Sequence, residues 1–92
     1  MPRATKIVAT LGPASSDPEV LERLLRAGVD VVRLNFSHGS AQDHRDRAAL
    51  VRKTAQRVGK PVALMADLQG PKIRVGRFVD GKVTLADGAE FV

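Results

Sequence analysis

Three apolar runs rich in β-branched residues alternate with two helical stretches in this 92-residue chain. Only a few residues connect them, and that alternation is the strongest constraint on the fold. Residues 6–11, KIVATL, stop at Gly12-Pro13, a strand followed by a turn signal. Residues 29–36, VDVVRLNF, follow Gly28 at once, and residues 62–66, VALMA, follow Lys60-Pro61. In the first gap Ser16 and Glu19 have capping-box spacing, and Pro18 suits a first helical turn. Val20, Leu21, Leu24 and Leu25 then repeat at helical spacing until Gly28 stops the helix. In the second gap residues 40–43, SAQD, open a helix with a buried stripe of His44, Ala48, Val51, Ala55 and Val58, ended by Gly59. The order βαβαβ predicts an α/β fold with a parallel sheet and helices outside it.

The second strand carries an anomaly. Arg33, Asn35 and Ser37 interrupt it at every second position, so all three share one face. Parallel sheets are usually covered on both faces, which denies that face easy access to water. An unpaired buried guanidinium is costly. The three residues also lie toward the carboxyl end of the strand. Ligands bind at that end in open α/β sheets and in closed α/β barrels alike. A phosphate or a metal ion there satisfies all three. Taken singly, each residue has a plainer role. Arg33 suits a surface, Asn35 and Ser37 a turn, Asp67 a strand end and His38 a loop. His44 suits packing, and Lys72 and Arg74 suit a solvated β-edge.

Charge narrows the partners. The net charge is +5 and the pI about 10.5, which favours anionic partners. The basic residues are dispersed, and the absence of Tyr and Trp removes the stacking platforms of a single-strand binder, so no nucleic acid is expected. With no cysteine there is neither a disulfide framework nor a thiolate metal site. The apolar run near the N-terminus is too short for a signal or a membrane span. A cytoplasmic protein without membrane contact is the expectation.

Past Asp67 the pattern changes. Gln69-Gly70-Pro71 breaks the third strand, residues 72–79 alternate charged with apolar, and Asp80-Gly81 and Asp87-Gly88 are turn signals. Antiparallel β structure is expected there. The expected division is 1–75 for the α/β layers and 76–92 for the start of a second, β-rich domain.

Three stretches, TKIVATLGPAS, GVDVVRLNFSHGS and ALMADLQGPKIRVG, resemble the successive N-terminal signatures of pyruvate kinases in order and spacing. The resemblance covers nearly the whole chain. It implies a partial (β/α)₈ TIM barrel followed by the beginning of a small antiparallel β-domain inserted after the third strand. It implies phosphoryl transfer from phosphoenolpyruvate to ADP, giving pyruvate and ATP. On this likeness Arg33 contacts the substrate phosphate. Asn35, Ser37, Asp67 and the Leu68 carbonyl form a monovalent-cation pocket. Asn35, His38 and Arg74 lie on the nucleotide side. The family's catalytic lysine and Mg²⁺ ligands fall outside these residues, so the isolated 92 residues are expected to be inactive. The full-length protein is expected to be a homotetramer. Lys72 stands where potassium-dependent members carry Glu, and Leu68, Gln69 and Val75 also resemble the potassium-independent group. The lysine ammonium would supply the charge of K⁺. Three strands cannot close a barrel, which takes about 250 residues. An exposed edge at the third strand and an unpaired apolar helix face follow. Two other roles fit the residues: a basic phosphate- or nucleic-acid-binding module, and an association piece that acts through Leu24, Leu25 and Val51.

Overall fold

The computed structural model describes residues 3–92. Strand β1 (Val8–Thr10) leads through a 3₁₀ turn (Pro13–Ser15) to helix α1 (Pro18–Ala27). Strand β2 (Val31–Asn35), helix α2 (Ala41–Val58) and strand β3 (Ala63–Asp67) follow. The sheet order is β1-β2-β3 and both pairings are parallel. The expected βαβαβ order is therefore observed.

Alternation along β2 decides which face meets the helices. Val32 and Leu34 are buried, with Leu21 and Leu25 of α1 and Val51 of α2 in the same core, joined by Leu11 and Val29. Val31, Arg33 and Asn35 lie on the other face and stay only half-buried. The sequence pattern predicts a face without water. The structure leaves it open, because among the described residues the helices cover only the other face of the three strands. Register aligns Val31 with Val8 and Ala63, Arg33 with Thr10 and Met65, and Asn35 with Asp67. The open face thus runs from apolar at the amino ends to polar at the carboxyl ends.

Local chemistry explains the helix limits. Asp17, not Ser16, caps α1: its carboxylate accepts from the Glu19 and Val20 amides. Pro18 at the first helical position makes the preceding residue the cap, and a carboxylate there also meets the positive end of the helix dipole. The Ser16 hydroxyl instead donates to the Gly12 carbonyl at 2.6 Å. In α2, Ser40 and Asp43 form a reciprocal capping box, and Gly59 closes the helix at φ 75°, a left-handed cap. The α2 stripe includes Thr54, 1% exposed, whose hydroxyl donates to the Leu50 carbonyl at 2.7 Å. The back-bond to Leu50 lets its hydroxyl be buried.

Strands β1 and β2 are shorter than their apolar runs, and β3 is shifted by one residue from its run. Val29 lies just past the cap of α1, its amide donating to the Leu24 carbonyl. Ile7 and Leu11 keep ladder-like bonds beyond β1, since the Ile7 carbonyl accepts from Val31 and the Leu11 amide donates to the Arg33 carbonyl.

No strand occurs after Asp67 among the described residues. The two expected turns are present, with Gly81 at φ 74° and Gly88 at φ 78°, and Phe78 meets Phe91 at 6.2 Å between ring centroids. The expected antiparallel ladder does not form there. An isolated hairpin without a third strand or a covering layer is marginal. Ile73, Val75 and Val79 remain exposed on this segment.

Candidate functional site

The carboxyl ends of the strands gather most of the polar residues singled out from the sequence. Arg33 sits at the centre. Its Nη1 donates to Thr10 Oγ1 at 3.0 Å, its Nε donates to Asp67 Oδ2 at 3.0 Å, and its Nη2 makes a short contact to the same oxygen. The guanidinium therefore spans all three strands as a crossbar. The satisfaction of Arg33 comes from Asp67 and Thr10, not from a group shared with Asn35 and Ser37. Thr10 was not legible as a site residue. Its only signal is parity, as the last residue of β1 on the Arg33 face.

The β2–α2 turn supplies the second set. Asn35 Oδ1 accepts the Ser37 amide at 3.1 Å, and the Asn35 carbonyl accepts the His38 amide at 3.2 Å. This Asx-type turn bends the chain into α2. The turn role of Asn35 is therefore observed. The Phe36 amide donates to the Asp67 carbonyl at 3.0 Å, which ties the turn to the end of β3. Ser37 and His38 are exposed on the turn, and Leu68 is 72% exposed.

Lys72 and Arg74 behave differently. Both are exposed beyond β3, and neither forms a hydrogen bond or an ion pair among the described residues. The structure brings Arg33, Asn35, Ser37, His38, Asp67 and Leu68 to one end of the sheet and leaves Lys72 and Arg74 off it.

The donor set can be tested against the ions that the family likeness implies. An amide oxygen, a hydroxyl, a carboxylate and a carbonyl are hard oxygen donors suited to a hard cation. Asn35 and Asp67 are register partners, and Asp67 Oδ1 makes no hydrogen bond among the described residues. In donor type, the set is one that a hard monovalent cation takes. Among the described residues no three His, Cys, Asp or Glu side chains converge.

A contrasting cluster lies at the amino end of the sheet. Asp30 accepts from the Ile7 amide at 2.9 Å and pairs with Arg3 at 3.2 Å, with Lys60 at 3.9 Å. Lys60 Nζ also donates to the Val29 carbonyl at 2.7 Å. The Ile7 amide, followed by the charges of Arg3, Lys60 and Lys6, holds the Asp30 carboxyl below the usual range, against the opposing effect of burial. In α/β barrels this end serves stability rather than chemistry. On the helix layer Glu22 binds Arg26 at 2.9 Å and Arg57 of α2 at 3.2 Å, joining the two helices.

Fold and site together define an α/β protein with a polar site at the carboxyl ends of parallel strands, built around a strand-bridging arginine. A family model described as pyruvate kinase, barrel domain, matches residues 2–92. The chain is 54% identical over 90 residues to pyruvate kinase II of Salmonella typhimurium, covering 98% of this chain and 19% of that protein. It is 52% identical over 90 residues to the pyruvate kinase of Haemophilus influenzae, with the same coverage of each chain. It is 51% identical over 88 residues to that of Corynebacterium glutamicum, covering 96% of this chain and 18% of that protein. The chain belongs to the pyruvate kinase family. It spans about a fifth of the length of these relatives. No helix among the described residues is long and apolar enough to cross a membrane.

Proposed function

We propose that these residues form the first βαβαβ portion of a pyruvate kinase, which transfers the phosphoryl group of phosphoenolpyruvate to ADP to give pyruvate and ATP. The observation that carries the reading is Arg33: a guanidinium held by Thr10 and Asp67 on the open face, at the end of the sheet where α/β ligands bind. Phosphoryl transfer asks the protein for positioning and positive charge more than for covalent chemistry. Arg33 binds the substrate phosphate, and its two partners fix the plane of the fork before substrate arrives. Asn35, His38 and Arg74 serve the nucleotide side. Asn35, Ser37, Asp67 and the Leu68 carbonyl form the pocket in which potassium-dependent relatives hold a monovalent cation, whose positive charge lies beside the transferred group. The Lys72 ammonium substitutes for that charge, so the enzyme needs no potassium. Mg²⁺ is bound by residues other than these.

Residues 76–92 belong to an inserted antiparallel β-domain, and the enzyme works in the cytoplasm as a homotetramer. Support for a barrel comes from the matched barrel model together with the parallel sheet and its one helix-covered face. The 92 residues alone are inactive for lack of the catalytic lysine and the divalent-metal ligands. A coupled assay of pyruvate formation tests the proposal. The full-length protein, given Mg²⁺, phosphoenolpyruvate and ADP, forms pyruvate and ATP in equal amounts. Absence of turnover with those substrates refutes it.

A further inference from the structure

His44 has a property that packing does not explain. It lies near the start of α2 and is only 7% exposed. Its ring stacks on Phe36 with centroids 4.4 Å apart and planes 19° from parallel. Neither Nδ1 nor Nε2 has a hydrogen-bond partner among the described residues. A neutral imidazole carries one donor and one acceptor, and burying both without partners is unfavourable. For packing alone Phe or Leu is the better residue.

The surroundings of the ring point to its partner. His44 borders two clefts. One, of about 330 Å³, lies over Leu34 and Ala48, and its polar lining besides His44 is the cation Arg45. The other, of about 350 Å³, lies between the start of α2 and the segment after β3, and Gln69 lines it with Leu68. A side-chain amide offers a donor and an acceptor together, which matches what the imidazole lacks. Phe36 directly follows Asn35, and its amide is bonded to the Asp67 carbonyl. His44 therefore touches the joint between the β2–α2 turn and the end of β3.

We propose that His44 is a positioning residue: stacked on Phe36, its ring nitrogens, without a partner among the described residues, take the Gln69 side-chain amide across the second cleft in the full-length protein and so fix the turn at residues 35–38 against the carboxyl end of β3. Its catalytic consequence rests on the phosphoryl-transfer reading above. Arg33 and Asp67 are set by their own bonds, whereas Asn35, Ser37 and His38 depend on a turn that His44 braces.

The test uses the full-length chain with His44→Phe, His44→Gln, Gln69→Leu and the double variant His44→Phe/Gln69→Leu. His44→Phe keeps the stack and the melting temperature but lowers kcat by roughly 10- to 100-fold, the usual cost of losing an orienting partner, with KM for phosphoenolpyruvate little moved. His44→Gln restores part of the loss. Gln69→Leu shows the same defect, and the double variant is no worse than either single one. Amide hydrogen exchange supplies a readout independent of turnover: His44→Phe speeds exchange in residues 35–39 and 67–70. Parental kcat in His44→Phe, additive losses in the double variant, or unchanged exchange overturns the proposal. If the parent forms no pyruvate, the phosphoryl-transfer reading fails by itself, and the exchange result still decides the role of His44. If His44→Phe does not fold, Gln69→Leu decides it by the same two readouts.

Discussion

Replacing Arg33 with lysine keeps the positive charge and removes the fork. In the structure the guanidinium serves Thr10 and Asp67 at once, through three nitrogens on one rigid plane. A lysine has a single nitrogen on a flexible stem and cannot bridge both strands in that way. Two effects compete, and their magnitudes differ. The Arg33–Asp67 pair has side chains 28% and 47% exposed, so water screens it and its loss costs stability less than about 1 kcal/mol. Against a phosphate, the fork makes two charge-assisted bonds where lysine makes one. The missing bond is worth about 1.5–3 kcal/mol, a loss of roughly 10- to 150-fold in kcat/KM for phosphoenolpyruvate. Steady-state pyruvate formation and thermal melting of the full-length variant measure the two terms. The expected signature is a large activity loss with little change in melting temperature. Near-parental kcat/KM would refute the assignment of Arg33 to the phosphate. A collapse in stability would show that the crossbar is structural.

Other outcomes follow from the same structure. The full-length enzyme turns over equally with and without K⁺ in sodium-free buffer, while Lys72→Glu makes it depend on K⁺; strong activation of the parent by potassium contradicts this. The folded-state pKa of Asp30 is depressed, so its stabilisation is present above the ordinary carboxylate value of about 3.9 and is lost as pH falls through the folded value. Urea midpoints of the full-length protein therefore drop on that acid limb, and Asp30→Asn flattens the limb. Leu25→Ala removes a fully buried side chain from between helix and sheet and costs about 2–5 kcal/mol in urea unfolding. Thr54→Val stays within about 1 kcal/mol of the parent, because the Leu50 carbonyl loses only a back-bond and the site keeps its volume.

The helical and strand periods made the architecture legible, since each period has one structural solution and the short connections force parallel pairing. The site was legible in part for the same reason. Arg33 and Asn35 share parity on β2, and parity fixes a face. What parity cannot give is register. Only the pairing of Thr10 with Arg33 and of Asn35 with Asp67 shows that the arginine reaches across to both neighbouring strands. Spacing leaves the α1 cap open by one residue because Ser16 and Asp17 are both good caps, and the outcome depends on where Pro18 sets the first turn. The segment after Asp67 kept its two glycine turns, which are local, and lacked the ladder, which depends on a covering partner. His44 fits a helical stripe by spacing, so its unpartnered nitrogens are visible only in three dimensions.

The central claim is that the guanidinium of Arg33 binds the phosphate of the substrate. The most direct test is a crystal structure of the full-length protein with phosphoenolpyruvate bound. The predicted result is phosphate oxygens at charge-assisted hydrogen-bond distance, about 2.7–2.9 Å, from the Arg33 fork at the carboxyl ends of β1–β3. Phosphoenolpyruvate bound elsewhere, with Arg33 still closed on Asp67 and Thr10 alone, would contradict it.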